Sequence, residues 1–258
     1  MSFELLLRVA LAPLAVGLAS LAARRWGHAA AGYLGGMPLI GGPITFFLAQ
    51  DHGARFAAQS ATVTLAAVAG QAAYLLAFAF ASRSRRWAVA LACGLAAFAV
   101  VSAGVAGLAP SLLEAIALAV GGLAVAWIAL PHPREPGGMP AVPGIELYLR
   151  LAAALALAFA IVTSANVLGP MWSGVLLSIP VTGSIIPAFT LALHGPDVVA
   201  RVIRGFVVGL TGFISFFAVV AACAIQLGVA ASFLLAALAA LSAVFVSSRL
   251  LKIRLAPS

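Results

Sequence analysis

The stretch GYLGGMPLIGGP, Gly32 to Pro43, packs five glycines and two prolines into twelve positions of an otherwise apolar run. A proline inside a helix removes one backbone hydrogen bond and clashes with the preceding turn. In lipid, an unsatisfied carbonyl costs several kcal/mol, so such a break survives only when buried in protein or lining a wet cavity. The surrounding chain is lipid-like. Of 258 residues, 64% are hydrophobic and 8% charged, against about 25% charged in an ordinary soluble domain. A water-facing surface cannot be built from that list, and successive apolar runs of 18 or more residues read as membrane-spanning helices. The runs are continuous, which excludes a transmembrane β-barrel, whose strands alternate.

Working outward, candidate spans fall at 4–23, 28–49, 56–81, 87–108, 111–130, 145–166, 170–193, 200–226 and 229–248. The longest break between them is the Pro- and Gly-rich segment 131–143. It divides a first membrane repeat, 1–130, with five spans from a second, 144–258, with four. Laying residue n on residue n+142 without gaps relates the halves. Glu4 falls on Glu146, Arg8 on Arg150, Gly32 on Gly174, Pro38 on Pro180, Gly41 on Gly183, His52 on His194 and Gly53 on Gly195. Between Glu4 and Gly70, 18 of 67 aligned positions are identical. Glu, Arg, Pro and His are scarce here, so their matches weigh more than those of Ala or Leu.

Five spans in the first half start the second half on the opposite face of the bilayer. With the N-terminus outside, twelve of the fourteen basic residues fall on the cytoplasmic side, and only Arg8 and Arg55 lie outside. The positive-inside rule asks for that bias. The basic pair Arg24 and Arg25 follows the first apolar run, so that run reads as a retained helix and not as a cleaved export signal. The expected fold is therefore all-α and polytopic: about nine transmembrane helices in two inverted-topology repeats, with Gly/Pro-broken second and seventh helices. The expected location is a bacterial inner membrane, with the C-terminus cytoplasmic.

Corresponding broken spans in the two halves of a membrane protein point to a transporter's binding site near the midplane. Candidate lining positions are Pro38, Gly41, Gly42 and Thr45 in the first half, and Pro180, Thr182, Gly183 and Ser184 in the second. These mild hydrogen-bonding groups suit a neutral or anionic solute better than a metal ion. Close helix packing through Gly32 and Gly36 is the competing explanation of the glycines. The pairs Glu4/Arg8 and Glu146/Arg150 have the favourable helical order and spacing. Either pair can anchor a helix end or serve in gating and coupling. His52 and His194, each followed by glycine, fit turns at span ends, with proton coupling as the sharper alternative.

Other functions lack their residues. No HExxH, GxSxG, phosphate-cradling GxxxxGK[ST] or CxxC occurs, so neither catalysis nor a metal or other cofactor is expected. Cys93 and Cys223 sit inside apolar runs as small packing residues. The net charge of +8 lacks the basic stripe with interleaved aromatics that nucleic acid requires. Expected partners are the lipid bilayer and a small solute, with a homodimer or a membrane partner protein as further options.

The segment LGPMWSGVLLSIPVTGSIIPAFTLALHGPDVVARVIRGFVVGLTGFISFFAVV, residues 168–220, resembles the GlpM-type family of small bacterial inner-membrane proteins. The matching pattern is Gly174, Pro180 and Gly195, and more faintly Gly32, Pro38 and Gly53. The resemblance implies a four-helix unit of the inner membrane; this chain departs from it as a fused double with an extra fifth span. The expected function is a secondary transporter or permease for a small solute, with the site between the repeats. A non-transporting scaffold and a lipid translocase are the alternatives.

Overall fold

The computed structural model describes residues 3–132, 148–149, 151–152, 155–156, 175 and 177–250, with backbone alone at 3–9, 11 and 12. Glu146, Arg150 and Gly174 lie outside the described residues, as does most of the 131–143 linker, and the side chains of Glu4 and Arg8 are not described. Every regular element among the described residues is helical. The helices are α1 (Phe3–Trp26), α2 (His28–Gly36), α3 (Gly41–His52), α4 (Ala54–Ala66), α5 (Val68–Ala81), α6 (Trp87–Gly107), α7 (Leu112–Ala129), α8 (Val181–His194), α9 (Pro196–Leu227) and α10 (Val229–Leu250). Six segments are long and apolar enough to cross a bilayer: α2–α3 together, α4–α5 with its trailing 3-10 turn, α6, α7, α9 and α10. The protein is an all-helical, multi-pass membrane protein by its helix lengths and composition.

Burial sorts these segments into two layers. The α2–α3, α4–α5 and α9 windows are 61%, 67% and 61% buried, whereas those of α6, α7 and α10 are 28%, 22% and 22% buried. The outer three present residues such as Val100, Ile128 and Leu238 outward, the arrangement lipid requires. At 32 residues, α9 is the longest element, about 48 Å by its rise, and it forms the centre. Its Gly205 and Gly209 meet Gly32 and Gly36 of α2 backbone to backbone: a methyl on Gly205 would strike the Ala29 carbonyl, and one on Gly209 the Tyr33 carbonyl. This is small-residue packing of two membrane helices. Helix α7 begins with a full capping box between Ser111 and Glu114. It is tied to α9 by Arg204, whose guanidinium stacks 4.2 Å from the Trp127 ring and donates to the Leu130 carbonyl.

Helix boundaries recur at the 142-residue offset. α4 starts at 54 and α9 at 196; α6 starts at 87 and α10 at 229; α3 and α8 end at His52 and His194. Gly53 and Gly195 close α3 and α8 in the same left-handed backbone, φ +87° and +81°, a conformation that favours glycine. Side-chain contacts recur as well. A methyl on Gly70 would meet Ser102 and the Phe98 carbonyl; one on Gly212 would meet Val244 and the Ala240 carbonyl, each partner again 142 residues on. The ring of His28, opening α2, lies 5.4 Å from that of His194, closing α8. The start of one broken span and the end of the other therefore share a face of the bundle.

Candidate functional site

Both breaks are built by the same turn. In the first, Leu39 N–H donates to Met37 C=O at 2.8 Å and Gly42 N–H to Pro38 C=O at 2.9 Å; in the second, Val181 N–H donates to Ile179 C=O at 2.8 Å and Ser184 N–H to Pro180 C=O at 2.7 Å. Each donor and acceptor of the second set is the first set's residue plus 142. The i to i+2 bond with proline at its centre is an inverse γ-turn, and Pro180 shows its dihedrals, φ −77° and ψ 71°. Proline suits that position because its ring fixes φ near this value.

The breaks meet at a cavity of about 40 Å³ lined by Gly35, Met37, Gly41, Leu177, Pro180 and Thr182, among others. A single water needs about 10–15 Å³, so this space holds roughly three. It is walled by α9. A methyl on Gly35 or Gly183 would run 2.8 Å from the Phe206 ring, so that ring sits between the two broken spans. Phe213, two turns further along α9, also lines it and packs its ring 4.5 Å from Phe217.

Three carbonyls in this region take side-chain donors in place of the helical ladder. Gly183 C=O would pair with the N–H of residue 187, but that residue is Pro187; Tyr74 Oη donates to it instead, at 2.9 Å. Gly35 C=O would pair with Leu39 N–H, which is engaged in the turn; Thr182 Oγ1 donates to it at 2.6 Å, linking one break directly to the other. Ser178 C=O, on the second break, receives Gln71 Nε2 at 2.5 Å. The membrane's demand that backbone groups be satisfied within the protein is met here by α5 and by the opposite break. Two buried oxygens of this region are left over, Ser184 Oγ on α8 and one on Gln71. Gln71 lines the cavity, is 3% exposed, and its Oε1 has no hydrogen-bond partner.

Of the residues the sequence points to, Gly41, Pro180 and Thr182 line the cavity. Gly183 and Ser184 do not line it: the Gly183 carbonyl takes the Tyr74 hydroxyl, and Ser184 is buried on the same helix. Pro38 and Gly42 lie on the far side of the first break, along an apolar groove of about 480 Å³ that also takes in Phe46, Phe47, Phe216 and Phe233. Thr45 is buried, and its Oγ1 donates back to Gly41 C=O at 2.7 Å. His52 and His194 sit at span ends, not at the cavity: His52 is exposed and stacks 4.6 Å from Phe56, and His194 packs on His28. Sequence reasoning missed Gln71 and Tyr74. The signal was a carboxamide and a phenol inside the apolar run VAGQAAYLL, where polar side chains are expensive.

Among the described residues no charged side chain lines the cavity, and no group of three His, Cys, Asp or Glu could hold a metal ion. No protein-family model, curated protein or solved structure matches the chain.

Proposed function

We propose that this chain is a small secondary transporter or permease, built from two inverted four-span repeats plus α7, with its solute site between the paired breaks. Nine spans, an outer N-terminus and a cytoplasmic C-terminus in a bacterial inner membrane belong to this reading, and a doubled four-span unit is also what the GlpM-type resemblance implies. The observation that carries it is the matched pair of proline γ-turns bordering one cavity with a half-satisfied carboxamide. Packing alone accounts for Gly32 and Gly36, but a polar atom buried without a partner is costly unless something binds it. The His28–His194 approach and the +142 boundaries support the inversion. Phe206 and Phe213 then act as the inner and outer walls of an occluded state, opened alternately as one repeat rocks against the other.

The test uses Leu177→Cys at the cavity in a Cys93→Ser/Cys223→Ser background. A membrane-impermeant maleimide is expected to reach it from either side of oriented vesicles. Absence of labelling from both sides would overturn the reading. A second reading, lipid handling, is favoured by the aromatic groove outside Pro38. It predicts that the reconstituted protein scrambles a fluorescent phospholipid, measured by dithionite quenching; the transporter reading predicts the rate of protein-free vesicles.

A further inference from the structure

We infer that the cavity selects a small uncharged solute that donates a hydrogen bond, and that Gln71 is the residue that recognises it. This rests on the transporter reading and narrows its substrate class. The orientation of the Gln71 carboxamide is fixed chemically: Ser178 C=O can only accept, so the atom facing it is the NH2 group, and the orphan is the acceptor. A buried acceptor calls for a donor. Of the other groups at the cavity, Thr182 Oγ1 is spent on Gly35 C=O, and the turn carbonyls of Met37 and Ile179 already accept from Leu39 and Val181.

Charge is disfavoured from both signs. Among the described residues no carboxylate or guanidinium lines the cavity to balance an ion, and an unpaired ion in so apolar a space is far more costly than a neutral polar group. The N-termini of α3 and α8 open there and would attract an anion. However, α2 ends there too with its carbonyl end, and Gln71 Oε1 adds a second repelling oxygen. A neutral dipolar molecule satisfies both kinds of helix end. The offset pairs Gln71 with Phe213 and Thr182 with Ile40, so only one half of the site is polar. A solute binding there would present its donor toward the second break and its apolar side toward the first. With space for about three waters, the class is that of urea and simple primary amides.

The full chain, reconstituted into liposomes, is tested by stopped-flow light scattering with urea and with acetamide. At least one is expected to enter about tenfold faster than into protein-free liposomes, with Gln71→Leu losing most of that gain. An unchanged rate in Gln71→Leu would overturn the role of Gln71. If that variant does not elute as a single folded species, Gln71→Asn replaces it, withdrawing the acceptor by about 1.5 Å; a wild-type rate there is equally fatal. Failure of both solutes to permeate while Leu177→Cys is labelled from both sides would overturn the substrate class and leave the transporter reading standing. Sodium or chloride flux that depends on Gln71 would overturn neutrality.

Discussion

At the scale of single residues, the molecule is governed by atoms that cannot be satisfied locally. Pro187 withholds an N–H from Gly183 C=O, and Tyr74, 109 residues away in sequence, supplies the replacement. Tyr74→Phe should therefore cost about 1–3 kcal/mol in detergent-solubilised unfolding, the usual cost of a stranded buried acceptor. Adding Pro187→Ala restores a backbone donor, so the double variant is expected to be more stable than Tyr74→Phe alone; a strictly additive cycle would contradict the pairing. Glycines divide just as sharply. Gly209→Ala drives a methyl into the Tyr33 carbonyl and should destabilise the protein by about 1–3 kcal/mol. Gly104→Ala meets nothing within 4 Å and should be neutral or slightly stabilising by helix propensity. Thermal unfolding followed by size-exclusion chromatography checks both.

At the scale of elements, the two broken spans explain what was legible beforehand and what was not. Proline and glycine act on their own backbone, so the positions of both interruptions, and their match at 142 residues, could be read directly from Pro38 and Pro180. Whether the surrounding glycines pack or line could not, because that depends on which helix arrives opposite. Gly32 turns out to pack against α9, Gly41 borders the cavity, and Gly36 does both. The partners were visible in principle, since Gly205 and Gly209 repeat the spacing of Gly32 and Gly36, but nothing local joins α2 to α9. Gln71 and Tyr74 have no equivalents at the offset, where Phe213 and Phe216 stand, so the repeat does not mark them, although a carboxamide in mid-span is nearly as informative as a charge. The bend at Ala67 between α4 and α5 has no sequence sign at all. If the breaks serve access and not merely packing, Pro38→Ala with Pro180→Ala should allow each helix to run on. Membrane insertion should then be normal, with maleimide labelling of Leu177→Cys reduced severalfold. Undiminished labelling would separate the prolines from the pathway.

At the scale of the whole molecule, inversion decides whether two similar halves can make one site. Parallel halves would put the starts of both broken spans on the same side, so His28 and His194 would lie at opposite faces. Inverted halves would bring them together, and the two rings lie 5.4 Å apart. Gathered on that same face are Arg83 and Arg85, close to Asp197 and His132 around a polar recess, and a cytoplasmic placement of this face agrees with the positive-inside rule. Gln50 and Ala192 make the sharpest test, because they are equivalent by the offset and both exposed. In intact cells of a Cys93→Ser/Cys223→Ser background, an impermeant maleimide should label Gln50→Cys and spare Ala192→Cys. Permeabilised cells should show both. A disulfide between His28→Cys and His194→Cys should form under mild oxidation in the same background. Equal labelling of the two equivalent sites in intact cells, together with no disulfide, would mean that the halves point the same way; the two proline turns could not then border a common cavity, and a solute path between them would have no walls.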